Sequence, residues 1–370
     1  MHYLPYYDTM QKTSRGDLVR QIVDVDPNFR IDTSIDKENI TFYDIQQQPF
    51  SIHGVFLENG IYRRLPEAVA KTVSNNVVEL HKEPSGGRVR FQTDSTRIAI
   101  HAQMPHVRDS AFNPMGNNGF DMYMVCDGEE RYIKSFVPPL DVVNGYESMH
   151  VFAKPKLREI TINFPIRGQV SELLIGIDKD AKLYPAKPYC GDKPIVYYGS
   201  SITQGGCASR PGNTYEAIVS RRLKRDYINL GFSGSARAEL EIADYIKNLE
   251  MEVFVYDYDY NSRTIPYLEE THERMFRIVR EANPQLPILI MSRPKYELTG
   301  DNVIRRDIIK RTYDNAKAAG DENVYFLDGP ALMALAKYDA TVDGTHPNDL
   351  GFYSMSQAVG NVLEAILEKM

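Results

Sequence analysis

The sequence predicts an α/β protein in two parts: a flavodoxin-like three-layer α/β/α domain, preceded by an all-β sandwich of jelly-roll type. Three observations carry this. Between about Thr41 and Lys182 apolar residues alternate with period two, and no convincing helical period stands out. After Lys193 five short apolar runs are each followed by a stretch with helical spacing. Between the two lies YPAKPYCGDKP, whose three prolines read as a linker. The expected boundaries are 1–40 for an N-terminal extension, 41–184 for the sandwich and 193–370 for the α/β domain.

In the first part, GGRVRFQTDSTRIAIHAQM puts Val89 and Phe91 on one strand and Ile98 and Ile100 on the next, with TDST between them. GFDMYMVCDGEERYIKSF reads as a hairpin turning at Asp127-Gly128. REITINFP and SELLIGIDK are two more strands. Many short strands separated by turns favour a sandwich.

In the second part the strands are IVYYG, YINLGF, MEVFVYDYD, PILIMS and VYFLDG. NTYEAIVSRRLKR starts a helix, with Asn213 and Glu216 spaced as a capping box. TIPYLEETHERMFRIVREANP, DNVIRRDIIKRTYDNAKAAG and NDLGFYSMSQAVGNVLEAILEKM supply three more helices. Strands alternating with helices imply right-handed crossovers and a parallel sheet covered on both faces. Ligands of such sheets bind outside the carboxyl ends of the strands, so the loops after these runs are where chemistry should sit.

Composition excludes some classes of partner. The 370 residues are 42% hydrophobic and 25% charged, with 43 Lys+Arg against 50 Asp+Glu and a formal charge of −7. A basic cluster for nucleic acid or an anionic membrane surface is therefore not expected. No apolar stretch approaches the roughly 20 residues of a spanning helix. The start of the chain, MHYLPYYDTMQKTSRGD, has no basic segment followed by an apolar core, so a cytoplasmic location is the expectation unless a signal has been removed. Cys126, Cys190 and Cys207 are too few for a disulfide framework, leaving at most one bridge. Oligomeric state is not legible.

The loops carry the candidate chemistry. His272 sits in YLEETHERMF and reads as a solvated surface histidine. His346 lies in DGTHP, with Asp343 three residues upstream, near enough for the carboxylate to hold the imidazole. A histidine so held, with a serine from elsewhere, is the arrangement that activates a hydroxyl as nucleophile. The loop after the first strand, GSSITQGG, offers Ser200 and Ser201 between glycines. It lacks the G-x-S-x-G of the α/β-hydrolase elbow and the Gly-Lys-Ser/Thr of a Walker loop. A phosphate loop of flavodoxin type stays open on these residues. His101, His106 and Asp109 make a weak metal set, because two histidines five apart do not share a strand face; no metal and no cofactor are expected.

Taken together, GSSIT, NLGFSG, DYDYN and DGTHP resemble, in this order, the sequence blocks of the SGNH (GDSL-type) hydrolases. The resemblance spans most of residues 193–370. It implies Ser201 as nucleophile, with His346 and Asp343 completing a triad. It also implies an oxyanion hole from the backbone N–H of Ser201, the N–H of Gly234 and the side-chain amide of Asn261. One such donor is typically worth about 3–4 kcal/mol in the transition state. Ser200 stands where GDSL has aspartate, and Tyr260 precedes Asn261 where this branch tends to have proline.

YYGSSITQGGCASRPGNTY and GFDMYMV resemble the branch with an N-terminal β-sandwich carrying a G-x-D-L-Y motif. Gly119, Asp121 and Tyr123 hold its positions, with Met122 for Leu. Asp121 and Tyr123 either help roof the site or are structural, and Arg210 either contacts substrate or holds its loop by an ion pair. The resemblance implies a serine esterase acting on small O-acyl groups, such as acetyl esters on carbohydrates. An acyltransferase with the same triad, and a silent flavin-, phosphate- or sugar-binding protein, are the alternatives. The chain has no Trp, so its 24 Tyr would have to supply any sugar-stacking surface.

Overall fold

A computed structural model describes residues 35–104, 113–139 and 143–370, with Asp26 and Ile31. The extension expected at 1–40 therefore falls largely outside the described residues, and His106 and Asp109 wholly so.

The alternating segments form two antiparallel sheets. Their strands are β1 (Ile40–Asp44), β2 (Ser51–His53), β5 (Arg88–Thr93) and β6 (Arg97–Gln103), while β3 (Phe56–Glu58) and β4 (Ile61–Arg63) form a separate two-stranded sheet. There follow β7 (Phe120–Cys126), β8 (Glu129–Phe136), β9 (Gly145–Val151), β10 (Arg158–Asn163), β11 (Glu172–Asp178) and β12 (Leu183–Tyr184). One sheet has the order β1-β11-β6-β9; the other runs β12-β5-β10-β7-β8, with β2 also on β5. Val89 and Phe91 of β5, Met122 of β7 and Ile160 and Ile162 of β10 meet Ile98 and Ile100 of β6 and Ile175 and Ile177 of β11 in one core. Period-two spacing thus buries one face of each sheet against the other. The hairpin turns at Asp127 and Gly128, both at positive φ, as a two-residue type I′ connection requires.

Helices occur in this part, contrary to the sequence expectation: α1 (Glu67–Val73), α2 (Asn75–Leu80) and α3 (Pro114–Asn118). The first two are too short to show a full apolar stripe. Ala70, Val77 and Leu80 also face away from the sandwich core and pack into the neighbouring core described next.

The second part has a five-stranded parallel sheet of order β14-β13-β15-β16-β17, the flavodoxin-like order. Its strands are β13 (Ile195–Gly199), β14 (Tyr227–Gly231), β15 (Val253–Asp257), β16 (Ile288–Met291) and β17 (Val324–Leu327). The helices are α4 (Ser201–Gln204), α5 (Tyr215–Leu223), α6 (Leu240–Lys247), α7 (Ile265–Ala282), α8 (Asp301–Ala318), α9 (Gly329–Leu332) and α10 (Asp349–Leu367). Alternate strand residues serve opposite faces. Val196, Tyr198, Phe254 and Tyr256 pack with Ile242 of α6, Leu268 and Met275 of α7 and Ile309 of α8. Ile195, Tyr197, Val253 and Val255 pack with Tyr215 and Val219 of α5 and Phe352, Met355 and Val359 of α10. These are the three layers that the strand–helix alternation implied. Both parts belong to one compact unit, residues 33–370.

Two local expectations change. The cap of α5 is Thr214, whose side chain accepts from Ala217 N–H at 3.4 Å, and not Asn213. Asn213 instead donates to Asp349 Oδ2 at 2.9 Å. His272 is fully buried rather than solvated. It lies on the same stripe as Leu268, Met275 and Phe276, stacks on Tyr256 at 4.6 Å, and its Nδ1 lies 2.8 Å from Thr312 Oγ1. Burial pushes its pKa down to about 3. The charged neighbours on the rest of the helix masked a regular apolar period. Among the described residues no helix is long and apolar enough to cross a membrane, and no disulfide joins any of the three cysteines.

Candidate active site

Strand β13 ends at Gly199, and the chain turns at once into the single-turn helix α4. Ser200 is its cap: its Oγ accepts from Ile202 N–H at 3.2 Å. That leaves Ser201 as the first helical residue, 9% exposed, with a backbone N–H that has no intrahelical acceptor. The turn lies tight against β14, since a Cβ on Gly231 would stand 2.2 Å from Gln204 N. Only glycine allows that approach.

Ser201 Oγ lies 3.0 Å from His346 Nε2. His346 Nδ1 lies 2.7 Å from Asp343 Oδ2. A carboxylate can only accept, so Nδ1 carries the proton and Nε2 is left to accept from the serine hydroxyl. Asp343 Oδ1 accepts in addition from the N–H groups of His346 at 2.7 Å and Thr345 at 2.9 Å. Burial alone would raise the Asp343 carboxyl, but the bonds from the His346 side chain and from the two backbone N–H groups outweigh it and hold it at about 2. The loop is itself pinned. Val342 N–H donates to His346 O at 2.9 Å, and the Asn348 side chain caps α10 through Gly351 N–H at 3.0 Å.

The other two candidate donors come from neighbouring loops. Gly234 follows β14 in a left-handed conformation with φ +67°, and its N–H meets no protein acceptor among the described residues. Asn261 follows β15 and accepts from Ala236 N–H at 3.4 Å through Oδ1, which ties its loop to that of Gly234. Its amide N–H₂ has no protein partner among the described residues. The Asn261 loop is anchored by buried Asp259. That carboxylate accepts from Arg293 Nε at 3.0 Å and Nη2 at 3.1 Å, and from Arg305 Nε at 2.6 Å. Tyr260 lies under the Arg293 guanidinium at 4.1 Å.

Asp121, Tyr123 and Arg210 come together, though not as a free binding surface. Asp121 is fully buried; its Oδ2 accepts from Arg210 Nη1 at 2.8 Å and Gly212 N–H at 2.9 Å, and its Oδ1 from Asn163 Nδ2 at 2.7 Å. Arg210 also bonds Tyr123 Oη and lies over the Tyr132 ring at 4.2 Å. The same loop continues to α10: Ser209 N–H donates to Asp349 Oδ1 at 2.8 Å. Asp349 lies three residues past His346, so this chain of bonds runs from β7 to the histidine loop. Of the weak metal set, His101 Nδ1 lies 2.7 Å from Glu147 Oε1, on the outer face of the sandwich.

Sequence reasoning missed the supports beneath these groups. Thr203 donates to Asp257 Oδ2 at 2.9 Å, and burial, with Asp259 nearby, pushes Asp257 up to about 8. Buried Arg64 donates to Gly231 O at 2.6 Å and Asn229 O at 3.0 Å, fixing the end of β14. Gln204 bonds both Ser233 and Glu83. Of these, Thr203 and Gln204 left a trace in the sequence, as polar residues inside the serine block.

Comparison with known proteins agrees with this layout. Residues 192–364 match the GDSL-like lipase/acylhydrolase family, and residues 40–183 match the N-terminus of SGNH-hydro-type esterases. No curated protein sequence gives a significant match. Among solved structures, a candidate GDSL-like lipase from Bacteroides ovatus ATCC 8483 is 26% identical, with a TM-score of 0.79 over 89% of this chain and 98% of that one. A salicylyl-acyltransferase from a tetracycline biosynthetic pathway shares the fold at 19% identity and a TM-score of 0.73, over 89% of this chain and 98% of its own. An acetyl xylan esterase from Butyrivibrio proteoclasticus shares it at 14% identity and 0.57, over 89% and 99%. With one matched segment following the other along the same two-part fold, the chain belongs to the SGNH-type GDSL-like lipase/acylhydrolase family and is an enzyme of the esterase and hydrolase kind.

Proposed function

We propose that the protein is a serine esterase that removes small O-acyl groups, acetyl above all, from carbohydrate or similar alcohols. Residues 193–370 carry the chemistry and 41–184 form the front part. The observation that supports this most is the line from Ser201 Oγ to His346 Nε2 at 3.0 Å and from His346 Nδ1 to Asp343 at 2.7 Å.

In this mechanism Ser201 Oγ attacks the ester carbonyl carbon while its proton passes to His346 Nε2. Asp343 stabilises the imidazolium so formed. The carbonyl oxygen becomes an oxyanion facing the N–H of Ser201, the N–H of Gly234 and the amide of Asn261. Collapse of the intermediate breaks the ester C–O bond, and the proton on His346 goes to the departing alcohol. Water then attacks the acyl-enzyme by the same route, releasing the acid and restoring Ser201.

Fold neighbours named as an acetyl xylan esterase and a carbohydrate esterase support the acetyl-sugar reading. The acyltransferase neighbour supports a second one, in which an alcohol other than water takes the acyl group. The test is a screen of wild type against acetylated sugars and aryl esters of increasing acyl length, with Ser201→Ala as blank. Fast release of acetate from the acetyl esters, and slower release of the corresponding acid as the acyl chain grows, is expected. Absence of Ser201-dependent release from every ester would overturn hydrolysis, and acyl transfer to added alcohols without release of acid would select the second reading.

A further inference from the structure

Gln204 lies three residues past Ser201 on the same turn, 1% exposed, and all its polar atoms are engaged. Its N–H donates to Ser200 O at 3.0 Å, and its carbonyl accepts from Ser85 Oγ at 2.5 Å. Its side-chain Oε1 accepts twice from Ser233, from the N–H at 2.9 Å and the hydroxyl at 2.8 Å. Its Nε2 donates to Glu83 Oε2. Glu83 belongs to the segment between α2 and β5, and is held in turn by Arg167 at 3.4 Å and by Arg64, which donates to its carbonyl at 2.5 Å.

These partners leave the amide one orientation. A backbone N–H only donates, so Oε1 must face Ser233; a carboxylate accepts, so Nε2 must face Glu83. Ser233 immediately precedes Gly234. The separation between Ser201 and the Gly234 N–H is thus spanned by one side chain that starts on the turn of Ser201 itself. An oxyanion donor works only within about 2.7–3.1 Å of the charge it stabilises, and a displacement of about 1 Å costs on the order of a hundredfold in rate.

We propose that Gln204, oriented by Glu83, is the positioning residue of the oxyanion hole, so that the front β-rich part contributes to rate through a side chain that never touches substrate. The inference rests on the roles given above to Ser201 and Gly234. Misplacing the Gly234 donor weakens the transition state more than the bound ester, so kcat should change and KM should not.

The test uses the full chain, a short aryl ester, and a boronic acid that adds to Ser201. Gln204→Glu keeps the acceptor for Ser233 but sets a second carboxylate against Glu83; kcat should fall about 10- to 100-fold with KM within about threefold. The double variant Gln204→Glu/Glu83→Gln restores the pair with donor and acceptor exchanged, and kcat should return to within about threefold of wild type. Boronic acid affinity should follow kcat across the series. Wild-type kcat in Gln204→Glu overturns the inference. So does a double variant that melts like wild type yet stays slow. If Gln204→Glu does not fold, Ser233→Ala, which deletes one of the two bonds to Oε1, is read in its place: a lower kcat at an unchanged melting temperature supports the inference and an unchanged kcat overturns it. Labelling of wild-type Ser201 by a fluorophosphonate is scored separately. Without it the active-site reading itself fails; with it, only the positioning role is at stake.

Discussion

Ser200 and Ser201, adjacent in the chain, turn their hydroxyls to different partners: Ser200 Oγ takes Ile202 N–H at 3.2 Å, and Ser201 Oγ meets His346 Nε2 at 3.0 Å. One closes a helix start, the other faces a base. Ser201→Ala should abolish hydrolysis of a short aryl ester. Ser200→Ala should keep most of the rate and lose about 1 kcal/mol of stability, the usual cost of a cap. Initial rates and urea midpoints for the two variants check this, and an active Ser201→Ala would sink the mechanism.

Asp343 is held at about 2 by three hydrogen bonds that outweigh its burial. Its folded pKa lies below the roughly 3.9 of an unfolded aspartate, so its contribution to stability is full above that value and is lost as pH falls toward 2. Across the neutral range it stays charged, and Asp343→Asn tests that charge at nearly constant shape. A fall in kcat of about 10⁴-fold is expected, because the amide favours the wrong tautomer of His346. A fall below tenfold would remove Asp343 from the triad.

Much of this site was legible because its parts are short and local. GSSIT keeps cap and hydroxyl, and DGTHP acid and imidazole, each pair within five residues, and a parallel sheet brings the ends of its strands to one edge. The strand order and three layers follow from the same alternation of strand and helix. What escaped was non-local. Nothing within a few residues of Glu83 announces a bond to Gln204, 121 residues away. The helices at 67–80 escaped because each is shorter than the window needed to see a 3.6-residue period. His272 escaped because charged neighbours on the exposed face hid the buried stripe beside it.

Asn261 offers a cleaner test of the oxyanion hole than alanine would. Its Oδ1 accepts from Ala236 N–H, and aspartate keeps that acceptor while deleting the amide donor. Asn261→Asp should therefore fold like wild type and lose about 10²–10³ in kcat with KM little changed. Calorimetry beside steady-state kinetics separates the two effects. A normal kcat would show that Asn261 gives no donor to the reaction.

Asp121 distinguishes a latch from a substrate contact. It is fully buried and pairs with Arg210, Gly212 N–H and Asn163 at once. Removing one side of such a buried pair strands the other, so Asp121→Ala should cost about 3–5 kcal/mol. Measured where the variant is still folded, KM for a small aryl ester should stay near wild type. An unchanged melting temperature with a tenfold rise in KM would instead make Asp121 and Arg210 substrate contacts.

Asp257, buried beneath the Ser201 turn and bonded to Thr203, gives a prediction in pH. Desolvation, with Asp259 adding to it, raises its carboxyl to about 8 in the folded protein. The unfolded value is about 3.9, so between these limits the folded state keeps a proton that the unfolded state has released. The contribution of this group to stability is then full below about pH 4 and drains away as pH rises toward 8. Asp257→Asn carries no such proton. The variant should gain on wild type steadily from pH 5 to pH 8 in thermal or urea midpoints, whatever its stability at pH 5. Parallel curves for the two proteins would mean that Asp257 is ionised in the fold, and that Thr203 donates to a carboxylate there.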